Sequence, residues 1–95
     1  MSVRSLYIPI IADNTSEDYI KTTFQKKNIG KVLRVDFVHN IPKNRREAFI
    51  HFDEWFDSVE CNDFKSDILK PEVKAKLYHT SERFWPILVN KNAHK

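Results

Sequence analysis

The residues with the clearest chemical meaning lie between Arg45 and Phe52, in the segment RREAFIHF. Successive side chains of a strand point to opposite faces, so the apolar residues Ala48, Ile50 and Phe52 predict one buried face. The opposite face would carry Arg45, Glu47, Phe49 and His51. A single aromatic ring among polar groups is of little use to a core, but it is typical of a surface on which flat ligands stack.

Other kinds of chemistry find little support in the composition. One glycine cannot build a glycine-rich phosphate loop, and none of the four histidines has a partner histidine at helical spacing. The lone Cys61 cannot form an intramolecular disulfide, which fits a reducing compartment, and the acids around it would raise its thiol pKa. We expect a small buried helix residue there, no metal, no cofactor and no enzymatic activity.

The elements that must position Phe49 begin with Ser5 to Ile11, SLYIPII, which predicts a first strand. Its core face would hold Leu6, Ile8 and Ile10, and Tyr7 would lie on the other face. Pro9 cannot donate to a ladder and marks an early end of pairing. Thr15 then predicts the N-cap of a helix over residues 16–27. The apolar stripe of this helix is Tyr19, Ile20, Thr23 and Phe24, and Gly30 would let the chain leave the helix.

The rest of the chain predicts further strands and a second helix. Lys31 to Val38 predicts a strand, and its core candidates are Leu33, Val35 and Phe37, with Val32 able to turn inward at the strand entrance. A basic, turn-rich loop over residues 39–46 leads into the strand that carries Phe49. Trp55 to Leu69 predicts a second helix, followed by a short extended piece over residues 73–78. Arg83 to Asn90 predicts the last main strand, which Pro86 assigns to a sheet edge.

This order of elements predicts a single domain over residues 1–95 with an α+β, ferredoxin-like βαββαβ fold. Its four-stranded antiparallel sheet would carry two helices on one face and an extra short strand before the last strand. Tyr7 and Phe49 would then emerge side by side on the two central strands, on the face without helices.

Charge is unevenly placed although the net charge is only +3. The segment from Asp53 to Asp67 contains six acids and one lysine, which gives it a net charge of −5. The remaining chain contains fifteen bases and seven acids, a net charge of +8. A polyanion would approach the side opposite this acidic segment, or the segment is simply a solvated helix face. The first residues do not resemble a secretion signal and no apolar run is long enough to span a membrane, so we expect an intracellular, non-secreted protein without a membrane partner.

The segment RREAFIHF also resembles the longer ribonucleoprotein signature of the RNA recognition motif (RRM) family, and SLYIPII resembles the shorter one. Arg45, Ala48, Phe49, Ile50 and Phe52 match the longer signature, and Tyr7 falls on the exposed aromatic of the shorter one. Arg46 stands where the family has glycine, and Glu47 stands where it usually has its first exposed aromatic.

The run LYIPI, IGKVxRVDFV, AFIHF and FWxxL is further similar to small RRM-like proteins encoded by giant DNA viruses. This similarity implies a viral protein in the host cytoplasm, the host nucleus or the virion.

Two kinds of binding follow from these residues. In the first, the sheet face binds single-stranded nucleic acid, with RNA favoured over DNA as the expected ligand. Tyr7 and Phe49 stack bases while other residues hold phosphates and base edges. The phosphate contacts would be Arg34, Arg45, Arg46 and Lys91, and the base-edge contacts His51 and Asn90. Glu47 would repel phosphate or accept a hydrogen bond from a base amino group.

In the second, the chain is a protein adaptor, as in RRM variants whose loop before the last strand carries Arg-x-Phe to hold a partner's tryptophan. Arg83, Phe84 and Trp85 occupy the corresponding place as Arg-x-Trp. A homodimer formed through the apolar last strand is a further alternative, because its apolar side chains cannot all face one core.

Overall fold

The computed structural model describes residues 5–70 and 75–89 of the chain. Two helices and six strands lie in these two ranges. In chain order they are β1 (Ser5–Ile11), α1 (Glu17–Lys26), β2 (Gly30–Asn40), β3 (Arg45–Trp55), α2 (Val59–Leu69), β4 (Lys76–Tyr78), β5 (Phe84–Pro86) and β6 (Leu88–Val89). Neither helix is long and apolar enough to cross a membrane.

Four of the strands form an antiparallel sheet in the order β2-β3-β1-β6. The strands that carry Tyr7 and Phe49, β1 and β3, are therefore the central pair, and Tyr7 lies directly opposite Phe49 in their register. This arrangement confirms the α+β class, the two helices and the four-stranded antiparallel sheet, and it is consistent with the ferredoxin-like expectation.

Both helices cover the same face of this sheet. Phe24 of α1 packs edge-on against Phe52 of β3, with ring centroids 5.2 Å apart, and also against Phe64 of α2 at 6.1 Å. Ile8 and Ile50 are fully buried in the same core. The opposite face of β1, β2, β3 and β6 carries no helix among the described residues.

Irregular pairing in two strands overturns two core assignments. Ile10 of β1 is 52 % exposed and Leu33 of β2 is 55 % exposed, although simple alternation places both in the core. The register shifts between Ile8 and Ile11 in β1, and around Val32 in β2. An extra residue in one strand reverses the alternation beyond it, so Ile11 and Val32 are buried instead.

Both helices begin at a serine one residue before the first helical position. Ser16, rather than Thr15, is the N-cap of α1, because its hydroxyl accepts a hydrogen bond from the Tyr19 amide at 3.1 Å. Helix α2 begins after Ser58, not at Trp55, which is instead the last residue of β3. The prediction of helix from Trp55 onward was wrong because the strand continues beyond Phe52.

The chain leaves α1 at Asn28, which adopts a positive φ of 61°, and not at Gly30. Gly30 is required for another reason. A Cβ atom at this position would lie 2.6 Å from the carbonyl oxygen of Glu54 on the paired strand. Only glycine permits this close approach of β2 and β3.

The last predicted strand is divided into two. Its first part, β5, pairs with β4 in a separate two-stranded sheet, and its second part, β6, pairs with β1 at the edge of the main sheet. Trp85 and Ile87 point inward, at 3 % and 2 % exposure, while Phe84 and Leu88 stay 40 % and 50 % exposed. The extra strand is therefore present, but it pairs with this segment and not with the main sheet.

Candidate functional site

The face of the main sheet opposite the helices, called the open face here, gathers most of the predicted binding residues. Its strands are β2, β3, β1 and β6, and the alternation of the strands decides which side chains it shows. They are Ser5, Tyr7, Arg34, Asp36, Val38, Asn40, Arg45, Glu47, Phe49, His51 and Leu88.

Tyr7 and Phe49 form a stacked pair at the centre of the open face. Their ring centroids are 5.0 Å apart and the ring planes differ by 28°, and both side chains remain partly exposed. Partial burial raises the pKa of Tyr7, and a hydrogen bond with the Glu47 carboxylate raises it further. The Tyr7 hydroxyl therefore stays protonated through neutral pH and can donate a hydrogen bond.

Glu47 lies beside this pair but is only 9 % exposed. One of its carboxylate oxygens accepts a hydrogen bond from Asn40 Nδ2 at 2.8 Å. That bond, followed by the one from the Tyr7 hydroxyl, lowers the pKa of Glu47, and the charge of Arg45 lowers it further. The carboxylate is therefore ionised, but neighbouring donors already satisfy it and little of it reaches the surface.

His51 lies on the opposite side of the Tyr7–Phe49 pair from Glu47. Its Nδ1 lies 2.8 Å from the Ser5 hydroxyl and its Nε2 lies 2.9 Å from Asp36 Oδ2. Arg34 Nε approaches the same Asp36 oxygen at 3.5 Å, and its side chain remains largely exposed. The imidazole is thus fixed in orientation with both nitrogens occupied, and Arg34 is paired with Asp36 through Nε while 61 % of its side chain stays exposed.

The two consecutive arginines of β3 point to opposite faces. Arg45 lies on the open face, near Tyr7 and Glu47, and its Nε is buried without a hydrogen-bond partner. Arg46 lies on the helix side, where its guanidinium sits 3.6 Å from the centroid of the Phe37 ring. Its Nη1 also donates to the backbone carbonyls of Ala12, Asp13 and Thr15, each at 2.9 Å. Arg46 therefore ties the loop between β1 and α1 to the sheet, and it does not join the other predicted phosphate contacts.

The Arg83-Phe84-Trp85 segment lies in the β4–β5 hairpin, away from the Tyr7–Phe49 pair. Trp85 is buried against His79, with ring centroids 4.4 Å apart, and meets Tyr19 edge-on at 6.0 Å. Burial and the charge of Arg83 lower the pKa of His79. The Trp85 ring thus packs inside the protein, whereas Phe84 remains partly exposed.

Asn90 and Lys91, the remaining predicted contacts, lie outside the described residues. Three participants were missed from the sequence: Asn40, which holds Glu47, and Ser5 and Asp36, which both hold His51. Alternation along the strands places all three on the open face, but their partners depend on the register between strands, which no local pattern indicates.

Cys61 is fully buried, and this burial raises the pKa of its thiol. The predicted direction was therefore right, although burial outweighs the acidic neighbours as its cause. Within residues 5–70 and 75–89 no group of three or more His, Cys, Asp or Glu side chains could hold a metal ion. Comparison with known proteins finds no family model, no curated protein and no solved structure that matches this chain.

Proposed function

We propose that this chain is an RRM-like domain of ferredoxin-like topology that binds single-stranded nucleic acid, RNA before DNA, through the open face. The observation that carries the proposal is the stacked, partly exposed pair of Tyr7 and Phe49 on adjacent central strands. Bases stack on such rings whatever their identity, because every base has a π-face.

The polar surroundings of the pair support the same function. Arg45 and Arg34 lie on either side of the two rings, along the direction of the strands, and both can meet phosphates. The objection that Glu47 would repel a strand is weakened, because Asn40 and Tyr7 already satisfy its carboxylate and it is nearly buried. Asp36 is likewise engaged by His51.

The same contacts limit the affinity. Two stacked bases contribute about 1–3 kcal/mol each, and only a few phosphates would be neutralised. We therefore expect weak binding with a shallow salt dependence and little base preference, since the nitrogens of His51 are already occupied.

Titration of the protein into fluorescently labelled, random-sequence single strands of RNA and DNA, followed by anisotropy at low and high salt, tests the proposal. Replacing Tyr7 and Phe49 together with Ala should weaken binding at least about 30-fold, the equivalent of about 2 kcal/mol. Tyr7→Phe keeps the ring and should retain most of the affinity.

A matched control removes two exposed apolar side chains from α2, with Val59→Ala and Leu69→Ala in one variant. This control should bind like the parent. If the Tyr7 and Phe49 variant stays folded by circular dichroism and binds as well as the parent, the open face does not stack bases. A parent that binds no strand at either salt concentration would leave a protein partner as the function to pursue.

A further inference from the structure

A groove at one end of the main sheet lies beyond the open face. It is an open groove of about 550 Å³ between the turn that follows β2, the loop that follows β1 and the β4–β5 hairpin. This volume is within the range of about 300–1,000 Å³ that small-ligand sites occupy. Its wall combines apolar side chains, Ile10 and Phe84 among them, with three arginines, Arg45, Arg46 and Arg83.

Arg45 connects this groove to the open face. It belongs to the same side of β3 as Phe49, and it also lines the groove. The segment formed by β5 and β6 makes a second connection, because Leu88 pairs with Tyr7, and Leu88, Pro86 and Phe84 alternate along it with the buried Ile87 and Trp85. At about 3.3 Å per residue, Phe84 lies about 13 Å along the segment from Leu88.

Phe84 offers an aromatic surface in the groove. The residue is 40 % exposed, the Tyr78 ring lies tilted against it with centroids 5.3 Å apart, and Lys76 Nζ lies over the Phe84 ring, 4.7 Å from its centroid. An exposed ring beside cationic groups is suited to a flat group that carries a nearby negative charge. The groove is lined by three arginines and by two acids, Asp13 and Glu82, so these five side chains carry a net charge of +1.

We propose that the groove takes the part of the single strand that continues from the two bases on Tyr7 and Phe49. The strand passes Arg45, a further base stacks on Phe84, and its phosphate meets Arg83. This inference rests on the proposed function and extends it, because it predicts a longer binding site than the two central rings provide.

The test is the dependence of affinity on strand length, measured by anisotropy with labelled oligouridylates from the dinucleotide to the octanucleotide. One further stacked base should strengthen binding of the parent by about 5- to 150-fold once the strand is long enough to reach Phe84. Phe84→Ala should remove this gain and leave dinucleotide binding unchanged. Arg83→Gln, which keeps the aromatic ring, should reduce the gain and the salt dependence of long strands only.

Glu82→Gln is the matched control, because it changes the neighbouring residue in the same groove and removes the opposite charge. It should bind long strands as tightly as the parent or more tightly. If Phe84→Ala and Arg83→Gln bind every length like the parent, while Tyr7→Ala with Phe49→Ala does not, the groove proposal is wrong and the proposed function stands. If the parent binds no length, both fail. A concentration-dependent dimer in sedimentation velocity that Phe84→Ala abolishes would assign the groove to a second copy of the chain and overturn the proposal.

Discussion

Arg45 and Arg46 are neighbours in sequence, but we expect their replacement to have different consequences. Both change to Gln with the same loss of net charge, so each variant is the control for the other. Arg45→Gln should alter nucleic-acid binding with little loss of stability, because Arg45 lies on the open face. Arg46→Gln should alter stability with little effect on the binding of a dinucleotide to the open face, because Arg46 lies on the helix side.

The size of the stability effect follows from the contacts of Arg46. Its Nη1 carries two hydrogens, so the three carbonyl oxygens at 2.9 Å share them and count as about two hydrogen bonds. A hydrogen bond to a charged group contributes about 1.5–3 kcal/mol, less where water reaches it, and the contact with the Phe37 ring adds about 0.5–1 kcal/mol. After allowance for exposure we expect Arg46→Gln to lose about 2 kcal/mol, which lowers the Tm by roughly 8–16 °C.

The binding effect of Arg45→Gln follows from counterion release. One phosphate contact contributes about 0.7 to the slope of log affinity against log salt concentration for a single strand. Arg45→Gln should therefore flatten the slope by about this amount, and its unfolding free energy should change by less than about 1 kcal/mol. Urea unfolding followed by tryptophan fluorescence gives the stabilities, and anisotropy at several salt concentrations gives the slopes. A flatter slope and an unchanged Tm for Arg46→Gln would refute the assignment of the two arginines to opposite faces.

Two further substitutions test the geometry of the sheet. The lowered pKa of Glu47 means that its ionised form stabilises the fold above about pH 4.5, the ordinary glutamate value, and that this stability is lost as the pH falls through the lowered pKa. Glu47→Gln should thus lower the free energy of unfolding by about 1–3 kcal/mol at neutral pH and leave it unchanged in acid. Urea unfolding at both pH values measures this difference. A difference that does not depend on pH would argue against the Asn40 contact. Gly30→Ala should cost about 1–3 kcal/mol, because its Cβ meets the Glu54 carbonyl at 2.6 Å, whereas Lys31→Ala on the exposed neighbour should change stability by no more than about 0.5 kcal/mol. Equal stabilities for these two variants would contradict the close strand approach.

Much of the sheet could be predicted because the pattern that specifies it is local. Alternation with a period of two separates Tyr7 from Leu6 and Phe49 from Ile50 without any knowledge of distant residues. The order of strands and helices then makes β1 and β3 central, which brings Tyr7 and Phe49 together. The same argument failed at Ile10 and Leu33, because a shift in pairing depends on the partner strand.

Helix ends were predicted less well, since two neighbouring residues can each cap a helix and only the path of the chain selects one. Thr15 and Ser16 have equivalent side-chain chemistry, and the structure assigns the cap to Ser16. In the same way, Asn28 and Gly30 both fit the exit from α1, and the backbone turns at Asn28.

By itself, the sequence determined the composition of the open face: which rings and charges lie on the side of the strands that the core does not use. Tertiary structure alone decided what each polar group does there. Arg46 and Arg45 are the same residue type, but the acceptors of Arg46 are backbone carbonyls more than 30 positions away. Every residue carries such a carbonyl, so no side-chain pattern can mark the ones that the fold brings to Arg46. The division of the last strand has the same origin, because whether residues 84–89 pair with β4 or with β1 depends on which strand the folded chain places beside each of them.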